Sequence, residues 1–174
     1  FVISDTHFSH TNIWQLFKLA DGSPARPFSS NEEMDYTMME NWNKLVKPQD
    51  HVYHLGDFTM LRQDKSGRMA AFRQRLNGHL RILLGNHDSL PSKWYFQNFE
   101  KVYGSRVIDN IIMTHIPISS QSFGRFKANV HGHTHHNKIM LDPHHPDPRY
   151  INVSVEQTNY TPVAWEDIRR NLSV

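Results

Sequence analysis

Two stretches decide how this chain folds: His51-Val52-Tyr53-His54-Leu55-Gly56-Asp57 and Leu80-Arg81-Ile82-Leu83-Leu84-Gly85-Asn86-His87-Asp88. Each is a short apolar run that ends on glycine and then on side chains able to bind metal or move a proton. Such a run, bounded by a turn signal, reads as a buried strand. The glycine lets the backbone bend sharply or come close to a ligand. The same pattern recurs at residues 1–4 before Asp5-Thr6-His7, at 106–114 (with a break at Asp109-Asn110) before His115, and at 128–130 before His131-Gly132-His133-Thr134-His135-His136. In open α/β sheets the carboxyl ends of strands form the crevice where ligands bind, so five such ends are expected to converge.

Helix patterns lie between the early strands. Residues 30–46 carry Met34, Met38, Trp42 and Leu45 at helical spacing, and Ser30 with Glu33 forms a capping-box signature. Shorter helical patterns cover 11–20, 67–76, 91–100 and 165–171, and further strands are expected at 138–141 and 150–155. The first half alternates strand and helix while the second is mostly strand. The order predicts an α/β protein with a parallel section continued by antiparallel strands, in two sheets covered by helices. With 174 residues and no repeat or long linker, the expectation is one domain spanning 1–174. Phe1 already lies inside an apolar run, so the native start is expected a few residues upstream.

Composition narrows the chemistry. There are 13 histidines and no cysteine, which excludes disulfide scaffolds, thiolate nucleophiles and Cys-type metal sites. A metal must therefore be held by His, Asp, Glu or Asn. A net charge of +2 does not by itself argue for nucleic acid. No apolar run approaches the roughly 18 residues of a membrane span, so a cytoplasmic location without membrane contact is expected.

In extended chain Asp5 and His7 would point the same way and could grip one ion. Each block also has an ordinary reading when taken alone. Asp and His after a strand often cap turns, Asn86 suits a turn, and His115 before Ile116-Pro117 could be a satisfied core histidine. Their occurrence together at five strand ends favours a metal site.

Assembled in order, D-x-H (Asp5, His7), G-D (Gly56, Asp57), G-N-H-D (Gly85 to Asp88), the single His115 and G-H-x-H (Gly132, His133, His135) resemble the calcineurin-like metallophosphoesterase superfamily, in particular its small bacterial and phage members. The resemblance implies an α/β two-sheet β-sandwich flanked by helices. It implies one metal held by Asp5, His7, Asp57 and His135 and a second by Asp57, Asn86, His115 and His133, with Asp57 bridging. Oxygen and nitrogen donors suit two divalent ions, Mn2+ first, with Fe, Zn, Ni or Co also compatible. Such a pair can provide a bridging hydroxide for in-line attack on a phosphoester. His87 is then placed as the general acid that protonates the leaving group, a task suited to histidine as a residue type.

His10, His54, His131 and His136 flank the pattern as expected supporting groups or substrate contacts, as metal ligands usually need. Arg26 could meet a substrate phosphate. Asp88 is expected to brace the loop or cap the next helix. The cluster Arg62, Lys65, Arg68, Arg73, Arg75 and Arg81 could guide an anionic substrate, or could simply be solvated. The chain lacks the aspartate-arginine extension of Ser/Thr protein phosphatases after Asp57, which disfavours a phosphoprotein. The expected function is a phosphodiesterase acting on a nucleotide-like or single-stranded nucleic-acid phosphoester, with no obligate protein partner. A phosphomonoesterase, a mononuclear zinc hydrolase and a non-catalytic metal-binding scaffold are the alternatives. No segment in 21–30, 117–127 or 142–148 reads as a base pocket.

Overall fold

The computed structural model describes residues 1–172. Its first sheet contains β1 (Val2–Ile3), β2 (His51–His54), β3 (His79–Leu83) and β4 (Lys101–Tyr103), in that order and all parallel. The second contains β10 (Tyr150–Asn152), β7 (Ala128–His131), β6 (Ile111–Met113) and β5 (Arg106–Ile108). A small hairpin pairs β8 (Met140–Asp142) with β9 (His145–Pro146).

Alternation along the strands builds two cores. Ile3, Val52, Leu80 and Ile82 face α2 (Asn31–Leu45), α3 (Arg68–Gln74) and α4 (Ser92–Asn98), where Met34, Met38 and Trp42 are buried against them. Val2, Tyr53, Leu55 and Leu83 face the other way and pack on Met113, Val130 and Val153 of the second sheet, joined by Ile168 of α5 (Trp165–Leu172). The period of two thus separates a helix-facing layer from a sheet-facing layer, which makes the sandwich. At the capped start of α2, the Ser30 hydroxyl accepts from the Glu33 amide. The Glu33 carboxylate reaches back to Ser29 rather than to Ser30.

Four details differ from the sequence reading. The second sheet is largely parallel: β6 and β10 both run parallel to β7, and only β5 pairs antiparallel with β6. Crossovers rather than tight turns connect these strands, so their carboxyl ends stay on one side. Strands β4 and β9 were not expected, the first having only three residues and the second containing Pro146. The helix expected over 11–20 stops after α1 (Thr11–Gln15), where the chain turns into a narrow loop closed by the Phe17 carbonyl and the Ala25 amide. Finally, Leu45 at the end of α2 is exposed. No helix among the described residues is long and apolar enough to cross a membrane.

The Ser4 and Ser154 backbones bridge in parallel, so β1 and β10 run in the same direction where the sheets meet. Seven parallel strands, four from the first sheet and three from the second, therefore run toward one edge.

Candidate metal centre

That edge gathers the expected residues. Asp5 and His7 follow β1, Asp57 follows β2, Asn86 follows β3, His115 follows β6, and His133 and His135 follow β7. Asp5, His7 and His135 form one group able to hold an ion, and Asp5, Asp57 and His115 form another. Asp57 Oδ2 lies between the two halves, 3.6 Å from His7 Nε2 and 3.4 Å from His115 Nε2. Asn86 Oδ1 is 2.8 Å from His115 Nε2 and 3.0 Å from His133 Nδ1. His135 Nε2 is 3.8 Å from Asp5 Oδ1.

The backbone reaches this geometry by bending, not by extension. Asp5, His7, Asp57, His133 and His135 all have positive φ, between 48° and 68°. Asp5 and His7 thus converge through successive left-handed turns instead of the simple strand alternation expected. Such conformations cost on the order of 1 kcal/mol or more each and persist only where surrounding contacts impose them. Those contacts are visible. Asp88 accepts from the amides of Asp57, Phe58 and Gly85, and the buried Asp35 accepts from the amide and hydroxyl of Ser9. Glycine is required at two close approaches. A Cβ on Gly85 would lie 2.2 Å from Asp57 Oδ1, and one on Gly132 would lie 2.2 Å from Asp5 Oδ2.

Hydrogen-bond direction tests whether cations fit. His115 Nδ1 is 2.8 Å from the Leu55 carbonyl, which can only accept, so Nδ1 carries the proton. In the neutral ring Nε2 then presents a lone pair to Asn86 Oδ1 and Asp57 Oδ2, which are also acceptors. His135 repeats the arrangement: Nδ1 donates to Glu156 Oε1 at 2.9 Å, leaving the Nε2 lone pair facing Asp5. His7 is buried, and neither ring nitrogen has a hydrogen-bond partner. Acceptors aimed at acceptors, together with an orphaned buried imidazole, fit what a bound cation would require.

The proton affinities follow the same crowding. Burial pushes the Asp5 carboxyl up and, reinforced by Arg26, holds His7 well below the usual histidine range. Burial would also raise Asp57, but the hydrogen bond and charge of His115 outweigh it and the net shift is downward. Burial lowers His133, with His115 adding to the effect.

The remaining expected residues divide by task. His87 donates its amide to Asp57 Oδ1 at 2.9 Å, and this exposed residue, its ring 5.8 Å from that of His7, lines a cavity beside the cluster. His10 lines the same cavity, with its ring 5.5 Å from His7. His136 also borders it and donates to the Ala25 carbonyl. His54 is a buried strut. The Thr6 hydroxyl gives its proton to the Phe58 carbonyl, so it accepts from His54 Nε2, while His54 Nδ1 accepts from the Gly56 amide. Burial pushes His54 down to about 3. His131 is buried and turns Nδ1 to the Gly132 carbonyl, while its Nε2 has no hydrogen-bond partner.

Arg26 is neither a phosphate contact nor a surface residue. It is fully buried, pairs with Glu156 at 2.7 Å, and donates to the Asp5 and Thr6 carbonyls. The basic cluster is also partly committed elsewhere. Arg73 lies over Phe99, Arg75 over Tyr36, and Arg81 pairs with Glu100. Asp88 takes the bracing role and does not cap α4.

Glu156 was not anticipated. It follows β10 as the other site residues follow their strands, but no glycine block marks it. Ser154 donates to Asp5 Oδ2, and Asn152 holds the loop through Thr134 Oγ1 and the His135 and Asn137 carbonyls.

The calcineurin-like phosphoesterase family model matches residues 1–168, and the chain belongs to that family. It is a metal-dependent phosphoesterase of a group that uses two metal ions. It is 36% identical over 171 residues to the uncharacterized protein MJ1445 of Methanocaldococcus jannaschii, covering 95% of this chain and 86% of the relative. It is 24% identical over 185 residues to the Gene 66 protein of Mycobacterium phage L5, covering 88% and 84%. Among solved structures, the protein of unknown function AQ665 from Aquifex aeolicus superposes with a TM-score of 0.68 at 26% identity, covering 97% of this chain and 96% of that one.

Proposed function

We propose that the chain is a single-domain phosphodiesterase acting on a nucleotide-like ester, with Asp5, His7, Asp57 and His135 holding one ion and Asp57, Asn86, His115 and His133 the other. The observation that carries this reading is the position of Asp57, whose Oδ2 lies at similar distances from a histidine of each half. One carboxylate serving two donor sets suits a bridged pair of ions. When bound, two divalent ions would supply the positive charge that attracts a phosphate and activates water.

The chain's own residues do the rest. Glu156 and the Leu55 carbonyl hold the protons of His135 and His115 on Nδ1, keeping Nε2 free as a ligand. His87 lines the cavity beside His7 and His135, where its ring can deliver a proton to a departing alkoxide. A cavity of about 560 Å3 beside His7, His87 and His135 has room for an organic group esterified to the phosphate, which favours a diester over a small monoester. Manganese is the first ion to assay.

The test is hydrolysis of bis-p-nitrophenyl phosphate after chelation and Mn2+ return. Restored turnover that disappears in Asp57→Ala is expected. No stimulation by any ion in a broad screen would overturn the reading, while one ion per active chain would favour the mononuclear alternative.

A further inference from the structure

The cavity beside the metal centre has a wall of its own, built from α1 and the loop that follows. The Ala25 amide bonds to the Phe17 carbonyl, the Leu19 amide to the Ser23 carbonyl and the Gly22 amide to the Leu19 carbonyl. Gly22, at φ +84°, closes the turn, and Asp21 Oδ1 accepts from both the amide and the hydroxyl of Ser23. The loop is therefore a short, cross-bonded hairpin. It is fastened to the centre at its base, where His136 donates to the Ala25 carbonyl and the next residue, Arg26, is buried against Asp5, Thr6 and Glu156.

This wall shows two kinds of surface to the cavity. Ile13, Phe17 and Leu19 make it apolar, and Met60 from the segment after β2 lines the same cavity. Phe17 is 56% exposed, and its ring has no aromatic or cationic partner among the described residues. Asn12, Lys18 and Asn137 also line the cavity, all exposed, none with a side-chain partner among the described residues. An apolar face beside unpaired amides matches a flat heterocycle, which stacks by its face and hydrogen-bonds by its edge. An alkyl chain would leave those amides unused, and a phosphorylated serine side chain would leave most of the space unfilled.

We propose that this cavity is a nucleoside subsite: Phe17 stacks on the base of a nucleotide phosphodiester, and Asn12, Asn137 and Lys18 contact the base edge and the sugar. The assignment rests on the phosphodiesterase reading above and identifies the group that the phosphate carries.

Two measurements separate the subsite from the activity. The first is the ratio of kcat/KM for thymidine 5′-(p-nitrophenyl phosphate) to that for methyl p-nitrophenyl phosphate, in wild type, Phe17→Ala and Phe17→Trp, each loaded with Mn2+. The second is fluorescence anisotropy of 1,N6-ethenoadenosine 5′-monophosphate with the same proteins. The wild type should prefer the nucleoside ester. Phe17→Ala should reduce both the preference and probe affinity roughly tenfold, the scale of losing one stacked base, and Phe17→Trp should restore them. Equal use of both esters by the wild type, or equal losses on both in Phe17→Ala, would overturn the subsite. If neither ester is hydrolysed but the probe binds through Phe17, the subsite stands and the phosphodiesterase reading fails.

Discussion

Glu156 Oε1 receives the Nδ1 proton of His135 at 2.9 Å while pairing with the buried Arg26 guanidinium at 2.7 Å. Burial alone would raise this carboxyl, but Arg26 and His135 together hold it down at about 2. One carboxylate thus orients a metal-ligand candidate and neutralises the cation that supports the Asp5 and Thr6 carbonyls. Glu156→Gln keeps the shape but loses the charge. Metal affinity, measured by competition with a chelating dye, should fall about 10- to 100-fold, as expected when a ligand's outer partner is removed. The melting temperature should also fall, because Arg26 would remain buried without its counter-ion.

The glycines at the centre have a steric purpose that can be tested one atom at a time. A Cβ on residue 132 would lie 2.0 Å from Ser4 Oγ and 2.2 Å from Asp5 Oδ2. Gly132→Ala should displace the Asp5 carboxylate, lower the bound-metal count measured by elemental analysis, and cost roughly 1–3 kcal/mol in urea unfolding. Gly124→Ala is the comparison, since a Cβ there meets nothing within 4 Å, although its φ of +50° adds backbone strain. Equal metal content in the two variants would contradict the steric account.

His87 reaches Asp57 through its backbone amide, so replacing its ring leaves that hydrogen bond in place. His87→Ala should therefore retain bound metal yet lose about 100-fold or more in kcat on an alkyl diester, whose alkoxide leaves as a strong base. The loss should be much smaller for a p-nitrophenyl ester, which needs little protonation. A uniform loss on both substrates would assign His87 to positioning.

His54 makes the fold sensitive to acid. Burial puts its folded pKa near 3 against 6.5 for the free residue. Between these values the unfolded chain takes up a proton that the folded chain refuses, so this contribution to stability is complete above pH 6.5 and is lost as pH falls toward 3. Between pH 7 and pH 4 the difference is roughly 3 kcal/mol at most. In chelator, urea unfolding of His54→Gln should show a correspondingly shallower decline. An unchanged slope would refute the assignment.

Much of this was legible in the chain because the residues of the sequence pattern each lie within a few residues of a strand end. Asp57 after Val52-Tyr53-His54-Leu55, and Asn86 after Arg81-Ile82-Leu83-Leu84, carry their placement with them. Glu156 was missed because its support comes from Arg26, 130 residues away in sequence. Phe17 falls inside the helical pattern expected over 11–20, and such a pattern cannot distinguish a buried face from a cavity wall. Arg26, between Pro24 and Pro27, reads in sequence as free to meet a phosphate, but the fold buries it completely.

By itself, the sequence determined the strand ends, the alternation that makes two cores, and the set of nitrogen and oxygen donors, since all three depend on neighbours along the chain. Only the tertiary structure decided the parallel direction of the second sheet, the positive-φ turns that aim Asp5 and His7, the burial of Arg26 on Glu156, and the cavity wall beside the metal centre. Those features depend on contacts between distant segments, where packing and the need to satisfy buried polar groups override local preference.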